Sequence, residues 1–374
     1  MSHLVSGPEA SEGISTVAVV GTGLIGGSIG LGLRDRGVHV IGLDDDADAS
    51  AAALDAGAIR EVATDLAAVA NTVDLVILAT PVATIADWVI AALDAGAPAV
   101  TDVGSVKGPV VEAVAAARPN DAARYVGGHP MAGSEQSGVG GATANLFAGA
   151  MWVLTPTEHT EPHVFARVRT VAGMLGAETV AVTPTQHDAL VAMVSHVPQL
   201  AATTLMDVAA KSGEEHAMML RLAAGGFRDM TRIAAGNPLI WPDICVANRD
   251  AILSALDHYV AALTEVRRHV AFGERDALLG LLERAREERR SLPSTAVISG
   301  PLAEVRVRVP DRPGVLAELT TLAGSMAVNI ADIEIAHTIE GTGGVVVLVV
   351  PSEQGAALVD ALASAGFPSS WSTI

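Results

Sequence analysis

The stretch that decides the fold of the first half of the chain is residues 16–28, which read TVAVVGTGLIGGS. Its opening residues, 16–20, are a β-branched apolar run of the kind that forms a buried strand. A glycine-rich turn follows, and beyond it Ile25, Ile29 and Leu33 recur at helical spacing. Strand, glycine turn and helix in this order predict the first unit of a parallel, doubly wound sheet.

Further strand signals alternate with helical segments, and we predict these strands at 38–43, 73–79, 99–103, 151–154 and 179–182. Such alternation indicates an α/β Rossmann-type dinucleotide-binding domain, which we place at residues 14–185.

The rest of the chain changes character twice. Residues 186–290 contain long segments with few strand signals and are predicted to form an all-α helical domain. Residues 291–301 begin with Ser-Leu-Pro-Ser and have the composition of a linker. Residues 302–374 alternate like strands around two helical segments, which predicts a small α+β domain of the ferredoxin-like β-α-β-β-α-β type.

Composition narrows the class of protein. The chain has 374 residues, of which 50% are hydrophobic and 17% charged, so it can bury a large core and form more than one domain. Its formal net charge of −19 disfavours a nucleic acid or an anionic membrane as partner. Residues 16–33 carry no charge, but their glycines suit a turn better than a membrane span. The single cysteine, Cys245, excludes an internal disulfide; we predict no metal site and expect a cytoplasmic location.

The glycine turn has the Gly21-x-Gly23-x-x-Gly26 spacing of a dinucleotide site, where glycines allow a tight turn and close approach of a pyrophosphate. A turn that serves packing alone is the alternative. Asp44 ends the second predicted strand and is suited to accept hydrogen bonds from the adenosine ribose. Its charge would repel the extra phosphate of NADP, so the predicted cofactor is NAD. Cofactor binding is assigned to Gly21, Gly23, Leu24, Ile25, Gly26, Asp44, Thr80, Pro81 and Ser105.

One histidine stands apart from the others. His129 lies in a glycine-dense stretch, residues 127–135, that follows a short predicted strand. Parallel sheets bind ligands beyond the carboxyl ends of their strands, so His129 is a candidate catalytic base. Ser105 ends the preceding strand, and its hydroxyl is predicted to orient the imidazole through a hydrogen bond.

A second polar cluster lies in the predicted helical domain, where residues 225–232 read GGFRDMTR. Asp229 and Arg232 are three apart at helical spacing, so the carboxylate can position the guanidinium as a fork for a substrate carboxylate. Composition and spacing equally allow plain surface residues.

These motifs resemble the prephenate/arogenate dehydrogenase family of tyrosine biosynthesis over nearly the whole chain. The resemblance rests on the glycine turn, on DVGSVK at 102–107, GGHPMAGSE at 127–135, SHVP at 195–198 and GGFRDMTR at 225–232. Residues after 302 resemble an ACT domain, with DRPGVL at 311–316 and Asn329-Ile330 beyond it.

The resemblance implies NAD-dependent oxidative decarboxylation of prephenate to 4-hydroxyphenylpyruvate, with arogenate as the alternative substrate. It implies that His129 accepts the proton of the ring hydroxyl with support from Ser105, and that Arg232 holds a substrate carboxylate. Because prephenate is a dianion and the chain is acidic, Arg228 or Lys107 is expected to assist Arg232. The implied substrate-binding residues are Arg232, which Asp229 steers, His196, Glu135 as a gate, Gly226, and Trp241 chiefly as a packing wall.

The ACT resemblance implies an aromatic amino-acid effector bound between paired ACT domains. A tail that only dimerises the enzyme is the alternative. The implied regulatory residues are Asp311, Arg312, Pro313, Gly314, Asn329 and Ile330. The family also implies a homodimer built through the helical domain.

Two other classes share parts of this organisation. A 3-hydroxyacid dehydrogenase also joins a dinucleotide domain to helices, but usually relies on a helical lysine followed four residues later by asparagine. The lysines here are Lys107, in the sheet domain, and Lys211, followed at 215 by glutamate. A non-catalytic NAD-sensing regulator would not need His129 together with Arg232, and no basic DNA-reading helix is apparent. Both rank below the dehydrogenase.

Overall fold

A computed structural model describes residues 13–133, 136–211, 225–291, 301–337 and 343–373. Contacts between Cα atoms divide the chain into two compact units. The first consists of Met1–Val208 with Thr231–Ala262, and the second of Ala209–Met230 with Leu263–Ile374. This division does not test the predicted domain limits near 185, 290 and 301, which stay predictions.

Eight strands form the sheet of the first unit: β1 (Thr16–Val20), β2 (His39–Leu43), β3 (Glu61–Val62), β4 (Leu75–Leu78), β5 (Val100–Asp102), β6 (Tyr125–Pro130), β7 (Met151–Thr155) and β8 (Glu178–Ala181). Their order in the sheet is β3-β2-β1-β4-β5-β6-β7-β8. Neighbouring strands are parallel except β6 and β7, which pair antiparallel. The strand order reverses between β1 and β4, which is where doubly wound sheets bind ligands.

Helices connect these strands and continue beyond them. Those described before residue 292 are α1 (Leu24–Arg34), α2 (Ala47–Asp55), α3 (Leu66–Val69), α4 (Val82–Asp94), α5 (Gly108–Ala117), α6 (Pro162–Met174), α7 (Pro184–Val191), α8 (Val197–Ala210), α9 (Gly225–Thr231), α10 (Trp241–Ala247), α11 (Arg249–Phe272) and α12 (Arg275–Ser291).

The continuous apolar sequence of β1 is explained by burial on both faces of the sheet. Val17 and Val19 pack into one core cluster together with residues of α1. Ala18 and Val20 point to the opposite face and pack into a second cluster with residues of α4. Because side chains alternate along a strand, a parallel sheet covered by helices on both faces requires apolar residues at every position of this strand.

One helix that follows β8 is both long and apolar. Helix α7, a π-helical turn at Ala192–His196 and α8 run on without a break as the 27-residue helix Pro184–Ala210. With a mean hydropathy of 1.4 it is, among the described residues, the one helix long and apolar enough to cross a membrane. Length and composition alone are weak grounds, because the core helix of a folded domain meets the same criteria.

The second unit contains a four-stranded antiparallel sheet. Its elements are β9 (Leu302–Pro310), α13 (Val315–Ser325), β10 (Asp332–His337), β11 (Gly343–Pro351), α14 (Ser352–Ser364) and β12 (Ser369–Thr373). The strand order is β10-β11-β9-β12, and both helices pack on one core with the central strands. β10 begins at Asp332, after a turn in which Ala327 has φ +55°. The α/β, all-α and ferredoxin-like parts of the predicted fold are confirmed.

Candidate active site

The glycine turn between β1 and α1 is shaped for close approach of a ligand. Gly21 has φ +86°, and a Cβ there would lie 2.5 Å from the carbonyl oxygen of Ala79. A Cβ at Gly26 would overlap the carbonyl oxygen of Gly21. A Cβ at Gly23 would meet nothing within 4 Å, and Gly23 begins α1 without a side-chain cap. The turn therefore leaves open space at a helix N-terminus whose backbone amides suit a pyrophosphate.

Asp44 is fixed beside this turn. One of its carboxylate oxygens accepts hydrogen bonds from the backbone N–H of Thr22 at 2.7 Å and from the Thr22 hydroxyl at 3.0 Å. The other oxygen accepts from the backbone N–H of Asp46 at 3.1 Å, and Asp46 itself caps α2. Asp44 is half-buried whereas Asp45 is exposed. A carboxylate fixed beside the glycine turn fits the ribose of NAD.

Four more of the predicted cofactor residues, all except Ser105, lie around the same turn. The backbone nitrogen of Thr80 is 3.1 Å from the position of a Cβ on Gly21, and Pro81 begins α4. Leu24 and Ile25 are the first residues of α1. The structure therefore brings these residues together at the edge of the sheet where parallel strands end.

His129 lies within a strand, whereas the sequence predicted that it follows one. It is the fifth residue of β6 and pairs with Val153 of the antiparallel strand β7, which extends the sheet at this point. Nδ1 of His129 is 2.9 Å from Nε2 of His187. Burial holds the pKa of His129 well below its usual range, and repulsion by His187 when protonated, by Lys107 and by His196 when protonated acts in the same direction. His129 is therefore neutral near pH 7 and able to accept a proton.

His187 connects His129 to a carboxylate. Its Nδ1 is 2.7 Å from Oδ1 of Asp188, and its side chain is 1% exposed. Asp188 also accepts the backbone N–H of Lys107 at 2.9 Å and that of Gly108 at 2.7 Å, where α5 begins. One carboxylate thus holds both a helix N-terminus and a histidine that contacts the candidate base.

A fully buried ion pair lies under the strand of His129. Lys107 contacts the carboxylate of Asp102 and donates a hydrogen bond to the carbonyl oxygen of Gly128 at 2.9 Å. Tyr125 donates to the other oxygen of Asp102 at 2.8 Å. Burial lowers the pKa of Lys107, while Asp102 opposes that shift. The expectation that Lys107 assists in holding substrate is wrong, because its ammonium is enclosed and paired.

His196 is placed by a buried amide. Nδ2 of Asn248 lies 3.2 Å from Nδ1 of His196 and 2.9 Å from the backbone oxygen of Asp188. The rings of His196 and Trp241 meet edge to face with centroids 6.0 Å apart. Burial lowers the pKa of His196 to about 4 against an opposing effect of Asp188. His196 and Trp241, both predicted at the substrate site, are thus in contact with each other.

Ser105 is half-buried in the turn after β5. In the part of the chain that the structure describes, the hydrogen-bond partner of the His129 ring is His187 and not Ser105. The support of His129 by Ser105 stays a prediction.

The remaining predicted substrate residues are less constrained. Arg232 is exposed in a short 3-10 turn of the first unit, whereas Gly226 and Asp229 belong to the second. Their joint action on a substrate carboxylate, and the steering of Arg232 by Asp229, stay predictions. Glu135 lies outside the described residues. Those residues contain no group of three or more His, Cys, Asp or Glu able to hold a metal ion.

Sequence reasoning missed His187, Asp188 and Asn248. A signal was present, since the adjacent pair His187-Asp188 stands in a helical segment shortly before His196. Yet His187 contacts His129, which lies 58 residues earlier on a strand. Asp188 accepts a hydrogen bond from Lys107, which lies 81 residues earlier at the start of a helix. No local pattern announces contacts of that range.

Because β1, β4, β5 and β6 are parallel, the glycine turn and His129 lie at the same edge of the sheet. A dinucleotide turn and a neutral imidazole at one edge define an NAD-dependent dehydrogenase.

Comparison with known proteins agrees with this class and narrows it. The nucleotide-binding domain of prephenate dehydrogenase matches residues 29–181, the dimerization domain of prephenate dehydrogenase matches 183–284, and the ACT domain matches 303–367. Prephenate dehydrogenase of Bacillus subtilis (strain 168) is 33% identical over 340 residues, which cover 88% of this chain and 90% of that protein.

Two solved structures are similar in fold and sequence. Prephenate dehydrogenase from A. aeolicus, in complex with hydroxyphenyl propionate and NAD+, has a TM-score of 0.70 at 30% identity, over 76% of this chain and 100% of that one. Synechocystis arogenate dehydrogenase has a TM-score of 0.66 at 32% identity, over 74% of this chain and 100% of that one. The chain belongs to the prephenate dehydrogenase family and carries a C-terminal ACT domain. Membership decides against the 3-hydroxyacid dehydrogenase and the non-catalytic regulator.

Proposed function

We propose that the chain oxidises and decarboxylates prephenate to 4-hydroxyphenylpyruvate with NAD, in the synthesis of tyrosine. The observation that carries this proposal is the neutral His129 held by His187 at the sheet edge that also bears the dinucleotide turn. The similar A. aeolicus enzyme holds NAD+ and hydroxyphenyl propionate, a molecule close in shape to the proposed product.

The proposed reaction requires the protein chiefly to orient the substrate and the cofactor and to supply one general base. When bound, NAD supplies the acceptor for the hydride that leaves the hydroxyl-bearing ring carbon. His129 takes the hydroxyl proton, which lets the oxygen form a carbonyl as the hydride departs. Carbon dioxide then leaves from the opposite ring carbon, the ring becomes aromatic, and the proton returns from the imidazole to the phenolic oxygen. Aromatisation drives the reaction forward, so positioning supplies most of the remaining catalysis.

Substrate recognition is proposed to use the cluster predicted from the sequence. Arg232 pairs with a carboxylate of the substrate; that Asp229 steers its guanidinium and that Gly226 binds substrate are expectations from the sequence alone. His196, with Trp241 packed against its ring, contacts the ring or side chain of the substrate. Glu135 gates the pocket and Ser105 supports the contact of His129 with the hydroxyl. An exposed, permanently charged guanidinium is a suitable first contact for a dianion at an acidic protein.

The direct test compares prephenate with arogenate, each with NAD and NADP, by following the absorbance of the reduced nicotinamide. We expect turnover with prephenate and NAD, and loss of at least about 100-fold in His129→Asn, since a positioned base usually contributes that much. An enzyme that reduces NAD with neither substrate, or a His129→Asn variant that keeps more than about a tenth of wild-type turnover, contradicts the proposal.

Arogenate is the second candidate substrate, because the similar Synechocystis enzyme is an arogenate dehydrogenase at comparable identity. Arogenate has an amino group where prephenate has a keto oxygen, and its oxidation would give tyrosine directly. Turnover with arogenate that exceeds turnover with prephenate would favour this candidate.

The ACT domain is proposed to bind an aromatic amino acid that regulates the enzyme. A cavity of about 400 Å³ lies at the turn that holds Asp311, Arg312, Pro313 and Gly314, and Ile335 and Val346 complete its apolar side. Its size and mixed lining suit an amino acid with a ring. Asn329 is exposed, and Ile330 packs against the core of this sheet, so Ile330 has a structural role beside its proposed regulatory one.

We further propose that the enzyme is a homodimer that acts in the cytoplasm. The matched dimerization domain covers residues 183–284, and α11 exposes the large apolar side chains Leu253, Val270 and Phe272. A second copy would remove such side chains from water. Light scattering on the purified protein tests this, and a mass of one chain contradicts it.

A further inference from the structure

The buried polar groups around Asp188 join the two histidines closest to the proposed chemistry. We propose that Asp188, acting through His187 and Asn248, sets opposite tautomers on them: His129 keeps its proton on Nδ1 and offers a bare Nε2, whereas His196 offers Nε2–H. His187 and Asn248 are therefore positioning residues. The inference rests on the proposed function only for its meaning in catalysis, because the tautomers themselves are a property of the free protein.

The carboxylate of Asp188 acts as an acceptor at both oxygens. Oδ1 accepts from the backbone nitrogen of Lys107 and Oδ2 from that of Gly108, at 2.9 and 2.7 Å. Backbone amides can only donate, and the N-terminus of α5 favours an anion. The nitrogen of His187 that lies 2.7 Å from Oδ1 of Asp188 therefore donates, so Nδ1 of His187 carries a proton.

The proton on Nδ1 of His187 in turn determines the tautomer of His129. A neutral imidazole with its proton on Nδ1 has a lone pair on Nε2. Nε2 of His187 is 2.9 Å from Nδ1 of His129, so that nitrogen of His129 must be the donor. Burial favours this neutral arrangement, since a second cation would lie close to the enclosed ammonium of Lys107. The lone pair of His129 is then on Nε2, and within the described residues no protein group hydrogen-bonds to that atom.

Asn248 sets the tautomer of His196, and it does so from the backbone carbonyl of Asp188 and not from the carboxylate. Its side-chain atom near Asp188 faces a backbone carbonyl oxygen at 2.9 Å, which can only accept, so this atom is the NH2 group. The same NH2 lies 3.2 Å from Nδ1 of His196, which must therefore be bare. His196 is 1% exposed and neutral at pH 7, so its proton is on Nε2.

The two tautomers complement each other in the proposed reaction. Bare Nε2 of His129 accepts the hydroxyl proton, and the Nδ1 proton of His129 can move to Nε2 of His187. The positive charge then sits on His187 beside Asp188, so the buried base need not hold it alone. His196, as a donor, suits a carboxylate or keto oxygen of the substrate.

The first experiment measures tautomers in the free, full-length protein. The protein is labelled with 15N-histidine, and two-bond couplings from ring carbon protons to ring nitrogens identify the protonated nitrogen of each ring. His129→Gln and His196→Gln assign the two spectra by loss of signal. We expect Nδ1–H on His129 and Nε2–H on His196. Nε2–H on His129, or Nδ1–H on His196, overturns the proposal, and neither result depends on any activity.

The second experiment changes His187. Gln can accept from His129 and donate to Asp188, whereas Leu can do neither. We expect His187→Leu to lower kcat by about 10- to 100-fold with a change in the Michaelis constant below about threefold, and to let His129 adopt a mixture of tautomers. His187→Gln should restore the Nδ1–H tautomer of His129 but recover only part of kcat, because an amide cannot take the proton. In the same way, Asn248→Ala should release the tautomer of His196 alone.

His163→Leu, an exposed histidine on α6, is the matched control and should behave as wild type. Thermal melting checks that each variant folds, and if His187→Leu does not, the wild-type spectrum and His187→Gln still decide. Unchanged kcat and an unchanged His129 tautomer in folded His187→Leu overturn the positioning role. The expected spectra in a protein that oxidises neither prephenate nor arogenate would leave the network standing and refute the proposed function instead.

Discussion

Lys107 and Asp102 form an ion pair in which both side chains are completely buried, directly under the strand that carries His129. The pair is satisfied on all sides: Tyr125, Gly104 and Gly128 donate to Asp102, and Lys107 donates to the backbone of Gly128. Attraction and hydrogen bonds within a well-paired buried pair offset the cost of desolvation, but removal of one partner leaves the other uncompensated. The pair therefore fixes the position of β6 next to β5.

Replacing Lys107 by Met should destabilise the protein by about 3–5 kcal/mol, because Asp102 would remain buried without its partner. Urea unfolding followed by circular dichroism measures this loss. The double change Lys107→Met with Asp102→Asn should recover part of the stability. Lys211→Met, at the other, exposed lysine, is the control and should cost at most about 1 kcal/mol, the usual limit for an exposed charge. A similar loss at both lysines would contradict the structural role of the buried pair.

Replacing Asp44 by Ser should weaken NAD and admit NADP. The carboxylate is held by Thr22 and Asp46, and a lost hydrogen bond to a charged group costs about 1.5–3 kcal/mol, or roughly 10- to 100-fold in the Michaelis constant for NAD. Initial rates with both cofactors measure the change. Asp45→Ser, at the exposed neighbour, should leave both constants as in wild type. An unaltered preference for NAD in Asp44→Ser would remove Asp44 from the cofactor site.

The acid limb of the pH profile should lie well below pH 6.5. Burial lowers the pKa of His129, and His187, Lys107 and His196 reinforce the shift. Asp102 and Asp188 are the facing anions, and both are engaged by other groups. Since catalysis needs the neutral imidazole, kcat/KM should stay level as pH falls through 6.5 and decline only near the lowered pKa. A midpoint at 6.5 or above, after subtraction of a blank without enzyme, would contradict the assigned environment.

Replacing Arg232 by Ala should raise the Michaelis constant for prephenate far more than it lowers kcat. A guanidinium that holds a carboxylate equally in the ground and transition states contributes uniform binding, which affects KM alone. The loss of a charged hydrogen bond predicts an increase of roughly 10- to 100-fold. Steady-state rates over a range of prephenate measure it. Arg249→Ala, at an exposed arginine that starts α11, is the control, and equal constants in the two variants would make Arg232 a surface residue.

Tyrosine should change both the rate and the thermal midpoint if the ACT domain binds an aromatic amino acid. A ligand that binds only the folded state raises the midpoint, and the effect grows with the logarithm of the ligand concentration above Kd. Gly314 has φ +88° at the cavity, so Gly314→Val should strain this turn and abolish the response while NAD turnover persists. If saturating tyrosine and phenylalanine change neither the rate nor the thermal midpoint, the ACT domain is a tail that only dimerises the enzyme.

Local signals in the sequence predicted the fold well. The β-branched run before Gly21, the glycine spacing and Asp44 at the end of the next strand are features that neighbouring residues determine by themselves, and the structure has a sheet, a turn and a fixed carboxylate there. Strand ends differ by a few residues, since the strand predicted at 73–79 spans Leu75–Leu78. The antiparallel pairing of β6 with β7 was invisible, so His129 was placed after its strand and not on it.

The surroundings of the candidate base were beyond the reach of sequence. His129 could be singled out by its glycine-rich motif, whereas His187 is set beside it only by the folded chain. Lys107 illustrates the converse error. As one of two lysines it looked available for an anion, but burial against Asp102 and Gly128 removes it from any ligand. Local pattern identifies a reactive side chain, and tertiary packing decides what charge that side chain carries.

Because Asp188 holds both the start of α5 and His187, the dinucleotide-binding domain cannot be separated from the helix that follows it without loss of catalytic parts. A fragment cut at the predicted boundary of residue 185 would keep the glycine turn, Asp44 and His129, but would lose both the anchor at the start of α5 and the histidine that completes the base. Such a fragment would retain the parts that recognise a nucleotide without those that tune the imidazole. Cofactor binding and acid–base competence are therefore encoded on opposite sides of that cut, and exchange of domains between relatives at this boundary would separate them.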